Sequence, residues 1–223
     1  MSEENIKPAK KYYDNISVGQ RTKQVIYFVE QHDKPVHFDL FCQETPALKT
    51  VLLVKSKKTA DMLSGFLKEK NLNAVVAHGN HRATQIQEAL QAFNADEVNL
   101  LVTTNAIFAT LELQNVQRVV NYDLPQEPEQ YFKSLRLIDE VGESISFVSS
   151  AEEKMLDTLE YMMRHDIPRK EIESFTHTQK PEQSMLPKDK TKKPRHKKVA
   201  LKAKIKAQKK AKWGPSLEEN KDS

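Results

Sequence analysis

Three residues with the chemistry to hold a phosphate stand at the ends of apolar runs. Ser56 closes TVLLVKS, Gly79 closes NAVVAHG and Thr104 closes VNLLVTT. A hydroxyl at a strand end that opens a helix lies beside unpaired backbone N–H groups, and together they form an anion site suited to a nucleic-acid phosphate. Lys57 adds a positive charge directly after Ser56. The same residue types also cap helices, and glycine also permits tight turns. On the residues alone both readings stay open.

A second phosphate-binding chemistry is carried by the C-terminal residues. Lys192, Lys193, Arg195, Lys197, Lys198, Lys202, Lys204, Lys206, Lys209, Lys210 and Lys212 fall within about two dozen positions, separated by Ala, Val and Gln rather than by acids. Charges at this density repel one another and favour a polyanion, whose counterions are released on binding. A solvated tail that only aids solubility is the alternative. Residues 180–212 hold 14 Lys/Arg against Glu182 and Asp189, a net of +12. Residues 21–179 hold 17 Lys/Arg against 23 Asp/Glu, a net of −6, so the overall +4 conceals an acidic body and a basic tail. Bodies of opposite sign suit different partners. No element presents a base-reading surface, so sequence-specific recognition is not expected.

Other reactive side chains carry less. His32, His37, His78 and His81 show no zinc-type spacing with a carboxylate, and no metal site is expected. Asp139, Glu140 and Glu143 read as a solvated loop. Cys42 is the single cysteine, which excludes an intrachain disulfide; in DLFCQE it reads as a small buried apolar residue. Tyr12, Tyr13 and Trp213 could stack on bases, but their isolation favours surface placement. None of the glycines, Gly19, Gly65, Gly79, Gly142 and Gly214, precedes a lysine, so a phosphate-cradling P-loop is absent. No Asp-Glu pair follows an apolar strand to hold magnesium. No catalytic residue is assigned, and hydrolysis of ATP by this chain alone is not expected.

The elements that would position Ser56, Gly79 and Thr104 alternate in type. Strands are expected at 22–30, 50–56, 73–79, 98–104, 116–125 and 143–150, several of them continuous apolar runs. Helical spacing follows at Val36, Leu40 and Phe41, at Ala60, Leu63, Phe66 and Leu67, at Ile86, Ala89, Leu90 and Phe93, at Tyr131, Leu135 and Ile138, and from Glu152 to about His165. Alternating buried strands and helices imply a single α/β domain, a parallel sheet with helices on both faces joined by right-handed crossovers. Ligands of such sheets bind at the carboxyl ends of the strands.

Domain limits follow from where this pattern starts and stops. Residues 1–20 read as a flexible lead-in, 21–175 as the domain and 176–223 as the tail. The chain's 223 residues, 38% of them hydrophobic with a mean hydropathy of −0.67, suit one core diluted by a polar segment. In the tail, Ala200, Ala203, Ala207 and Ala211 share one helical stripe, so this segment is expected to be disordered or conditionally helical. No run of 18 apolar residues and no signal sequence is seen; a cytoplasmic protein without membrane contact is expected.

Over roughly residues 17–175 the wording of the strand ends resembles the C-terminal, RecA-like domain of DEAD-box RNA helicases. VLLVKSKKTADML, AVVAHGN, LLVTTNA, VVNYDLPQEPEQY and IPRKEIESF are similar to family segments, in the family's order and spacing. The resemblance implies that Ser56, Gly79 and Thr104 line the RNA backbone. Departures are equally specific. Where the family has an Arg-Gly-x-Asp run, this chain has Ala109, Thr110 and Glu112 after Asn105. Lys133 and Ser134 stand at the His-Arg of the arginine motif, in a loop about three residues short. Ala83 and Ile86 stand at the Gln-x-x-Arg that follows His-Gly. Glu112 and Arg136 are the vestigial candidates for nucleotide contact.

These readings imply an RNA-binding protein of helicase ancestry, without ATPase activity of its own, acting on structured RNA such as ribosomal RNA. No cofactor is expected, ATP and magnesium entering only if a separate N-terminal helicase lobe completes the site. Such completion in trans, or a module that competes for that lobe, are the alternatives.

Overall fold

The structure, a computed structural model, describes residues 12–178. The basic residues Lys192 to Lys212 and the rest of the expected tail from residue 179 lie outside the described residues, as does Trp213.

Among the described residues, seven strands form one fully parallel sheet in the order β3-β4-β2-β5-β6-β1-β7. They are β1 (Lys23–Phe28), β2 (Thr50–Val54), β3 (Val75–Ala77), β4 (Leu100–Thr104), β5 (Arg118–Asn121), β6 (Glu143–Val148) and β7 (Arg169–Lys170). The central strands β2 and β4 are buried at every residue, which is why they read as unbroken apolar runs. Their register places Val51 opposite both Leu101 and Val119.

Seven helices cover the sheet: α1 (Asn15–Arg21), α2 (Lys34–Glu44), α3 (Lys57–Glu69), α4 (Ala83–Asn94), α5 (Asn105–Phe108), α6 (Pro128–Ile138) and α7 (Glu153–Met163). Side-chain alternation along each strand sorts them onto two faces. Leu52, Val54, Val102 and Val120 meet Phe38 and Phe41 of α2 and Leu63 and Leu67 of α3 on one face. On the other, Ile26 and Val148 meet Tyr131 and Leu135 of α6 and Leu156 and Leu159 of α7. On that same side Val51, Leu53 and Leu101 meet Phe93 of α4 and Phe108 of α5. Helices thus lie on both faces, as the alternating pattern implies.

The expected flexible lead-in needs correction. Asp14 caps α1 by accepting the N–H groups of Ile16 and Ser17 at 3.1 and 3.0 Å. Val18 is fully buried against α6 and α7. A Cβ on Gly19 would lie 2.4 Å from Met163 Cγ, so glycine is what lets α1 approach α7. Seven residues with two apolar side chains are too short to show a helical period, and tertiary packing makes the helix.

At the other end ordered structure runs past residue 175. The Phe175 ring stands edge-on to His37 at 4.8 Å. Thr178 donates its N–H and hydroxyl to the Asp33 carboxylate at 3.0 and 2.5 Å. Among the described residues no helix is long and apolar enough to cross a membrane.

Candidate nucleic-acid interface

Because the sheet is parallel, every strand ends at one edge, and the loops after β2, β4 and β5 meet there. They enclose a groove of about 400 Å³ lined by Lys55, Ser56, Lys57, Thr104, Asn105, Ala106, Pro125, Gln126, Glu127 and Gln130. Three residues picked from the sequence, Ser56, Lys57 and Thr104, thus share one groove.

Their hydroxyls are not equivalent. Ser56 Oγ accepts Thr59 N–H at 3.1 Å and lies 2.9 Å from Thr59 Oγ1, so it caps α3. Thr104 makes no cap hydrogen bond at the start of α5. Thr104 lines the groove although it is only 7% exposed. Asn105 beside it buries an Oδ1 with no hydrogen-bond partner.

Lys57 Nζ donates to Asn80 Oδ1 at 2.7 Å, linking the end of β2 to the turn after β3. A Cβ on Gly79 would lie 3.9 Å from Lys57 Cε and 3.8 Å from Ile107 Cδ1, ordinary contact distances. Gly79 has no positive φ, so a tight turn does not demand glycine there. Its bare backbone sits against the Lys57 side chain, next to the groove.

Behind the groove lies a buried ion network. Lys34, fully buried, donates to Glu152 Oε2 and to the Tyr122 carbonyl, both at 2.7 Å. Glu152 also accepts Leu124 N–H at 2.8 Å, and Asp123 accepts Lys55 N–H at 2.9 Å. Burial works to raise the Glu152 carboxyl, but the Lys34 ammonium and the Ser149 hydrogen bonds outweigh it and hold it below its ordinary value. These bonds fix Tyr122–Leu124 and so the approach to Pro125 and Gln126 at the groove.

Comparison with known proteins shows what this edge resembles. The helicase conserved C-terminal domain family matches residues 33–136, which contain β2, β3, β4 and the groove. The folded unit is similar to the C-terminal domains of DEAD-box helicases. The pre-mRNA-splicing ATP-dependent RNA helicase PRP28 of Saccharomyces cerevisiae is 28% identical over 172 residues, covering 74% of this chain. The match spans 26% of that helicase, so the chain corresponds to about a quarter of its length. A DEAD box protein from Methanococcus jannaschii superposes with a TM-score of 0.63 at 20% identity, covering 69% of this chain and 43% of that one. The C-terminal domain of S. cerevisiae Dbp5, solved bound to Gle1 and IP6, gives 0.60 at 25% identity, covering 67% and 89%.

Within this domain the vestigial nucleotide candidates stand apart from the groove. Arg136 sits on the last turn of α6, its guanidinium bound to Glu129 at 2.6 Å, Asn15 Oδ1 at 2.7 Å and the Tyr13 carbonyl at 3.2 Å. It anchors the N-terminal segment. Glu112 is exposed in the loop after α5. The structure does not bring either residue to the groove.

Two further expectations change in this domain. The acids Asp139 and Glu143 are ion-paired rather than solvated: Asp139 with Arg21 at 2.5 Å, Glu143 with Lys23 and Arg118 at 2.6 and 2.7 Å. Of the histidines, His78 and His81 lie together beside Asp61, one ligand atom of each within 4.8 Å of the others. Cys42 is half-buried, and burial pushes its thiol up to about 12, which keeps it inert. Lys55, Asn105, Gln126 and Gln130 are groove residues that sequence reasoning did not assign to a site; only adjacency to Ser56, Thr104 and Pro125 could have indicated them.

Proposed function

We propose that this chain binds RNA through its helicase C-terminal domain and basic tail and does not hydrolyse ATP by itself. The observation that carries it is the convergence of Ser56, Lys57 and Thr104 on one strand-end groove, with the Thr104 hydroxyl free of any capping role. A free hydroxyl, lysine ammonium groups and helix-opening N–H groups suit a sugar-phosphate backbone. The body's net charge of −6 limits the affinity this groove supplies, and the +12 segment supplies the remainder by counterion release.

The absence of hydrolysis rests on chemistry. Phosphoryl transfer needs a phosphate cradle, a held magnesium ion and an arginine on the developing charge. This sequence has no glycine-lysine loop, and Arg136 is committed to Glu129, Asn15 and Tyr13. ATP and magnesium would enter only with a separate N-terminal lobe. Structured RNA such as ribosomal RNA is the substrate class we assign, since the charged tail reads phosphate density and not base order.

The deciding experiment measures RNA binding by the full chain and by a chain ending at Thr178, at physiological salt, on a structured RNA. Tighter binding by the full chain, with weaker residual binding by the truncated one, is the expected result. Absence of RNA binding by both would refute the proposal.

A further inference from the structure

A cluster outside the groove has the composition of a metal site. It is built where β3 ends and α3 passes beside it. The turn His78–His81 is closed by His81 N–H donating to the His78 carbonyl at 2.9 Å, which stacks the two imidazoles at a centroid distance of 3.9 Å. Asp61, from α3, places Oδ1 at 2.8 Å from His78 Nε2.

The polar accounting in this cluster is incomplete. His81 Nδ1 is buried and has no hydrogen-bond partner, a desolvation cost that a ligand relieves. His78 is 2% exposed, whereas the Asp61 side chain is 64% exposed. The site therefore has a fixed imidazole, an unsatisfied imidazole nitrogen and a carboxylate free to adjust.

We propose that Asp61, His78 and His81 bind a divalent ion of the zinc class, with the remaining tetrahedral position open to solvent. Two imidazoles and one carboxylate match zinc and its borderline neighbours, whereas magnesium and calcium take all-oxygen sets. Bond lengths of about 2.0–2.2 Å to a tetrahedral ion separate neighbouring ligand atoms by about 3.4 Å. The ligand atoms lie within 4.8 Å of one another, so small movements suffice. The ion takes the place of the proton between His78 and Asp61, and the exposed carboxylate retreats to admit it. His78 Nδ1 then carries the proton, so the long contact from Asn80 N–H, 3.3 Å, is the one that loosens.

The test uses the full chain, stripped of metal, with Zn²⁺ titrated against a chromophoric chelator and Co²⁺ absorption reporting tetrahedral coordination. One equivalent should bind, and His81→Ala and Asp61→Asn should each weaken it about tenfold or more. Zinc should raise the melting temperature of the wild-type chain and leave both variants unmoved. Asp61→Asn alters an exposed side chain and decides the matter if His81→Ala disturbs folding. Equal zinc affinity in the wild type and Asp61→Asn, or no saturable equivalent at micromolar zinc, overturns the assignment.

Discussion

Lys34 Nζ lies 2.7 Å from Glu152 Oε2, and the lysine has no solvent exposure. Removing one member of a buried pair leaves the other charged and uncompensated, at a cost of about 3–5 kcal/mol. Lys34→Met should lower the unfolding free energy by that amount in urea denaturation. The double variant Lys34→Met with Glu152→Gln should recover only part of the loss, because the buried Asp123 carboxylate, 3.5 Å from Lys34 Nζ, also loses its partner. Equal destabilisation by the single and double variants would show that lost packing, not charge, sets the cost.

The His37 imidazole should make the domain acid-sensitive. It stands among Tyr27, Phe147 and Phe175 with Nδ1 unpartnered, and burial, aided by the His177 charge, lowers its pKa to about 4. An unfolded histidine titrates near 6.5. The unfolded chain therefore binds the proton first, and stability, full above pH 6.5, falls as the pH drops towards 4. His37→Phe should remove about 2 kcal/mol of this loss, after discounting for solvent screening. Thermal melts of both proteins between pH 4 and 7 measure it, and parallel curves would mean His37 does not titrate in this range.

Gly142 turns the chain between α6 and β6 under close contact. A Cβ there would lie 2.7 Å from the Gln117 carbonyl oxygen and 2.8 Å from Ile138 Cβ. Neither neighbour is a flexible side-chain end, so Gly142→Ala should destabilise by about 1–3 kcal/mol. Gly79→Ala, with neighbours at 3.8 Å or beyond, should leave the melting temperature almost unchanged. The pair of melts separates a packing requirement from a functional one.

Much of this fold is legible because burial on both faces forces long apolar runs. TVLLV and LLVTT are buried at every position, as central parallel strands are. Amphipathic spacing in α3 and α6 is equally plain, with Leu63 and Leu67, and Tyr131 and Leu135, facing the sheet. By contrast α1 and the two-residue β7 exist through contacts made at a distance, Val18 on α7 and Ile26 paired with Arg169. At the site, hydroxyls at strand ends are visible in sequence, yet whether one caps a helix is not: Ser56 does and Thr104 does not. Asp61 lies 17 positions before His78, so no local spacing joins them.

Purified full chain should release no phosphate from ATP above background, with or without RNA. Arg136→Ala should leave that baseline unchanged and instead lower stability slightly, since the guanidinium ties α6 to Asn15 and Tyr13. RNA-stimulated hydrolysis abolished by Arg136→Ala would overturn the reading.

The division of labour between tail and groove sets the salt dependence of RNA binding. On single strands log affinity falls against log salt with a slope of about 0.7 per neutralised phosphate. Changing Lys204, Lys206, Lys209 and Lys210 to Gln should reduce that slope by up to about 3 and lower affinity on every sequence alike. Groove variants should behave differently. Thr104→Ala removes a hydroxyl that caps nothing, but from a buried strand position, so it is compared at matched folded fraction. Ser56→Ala also loses the cap of α3, about 1 kcal/mol of stability, and must be compared at matched folded fraction. Both should lower affinity only a few-fold and leave the slope unchanged, because a hydroxyl releases no counterion. Lys57→Gln should reduce the slope by about 0.7 at most. Should Thr104→Ala weaken binding more than the four-lysine change at physiological salt, the groove would be the primary site and the tail an accessory to it.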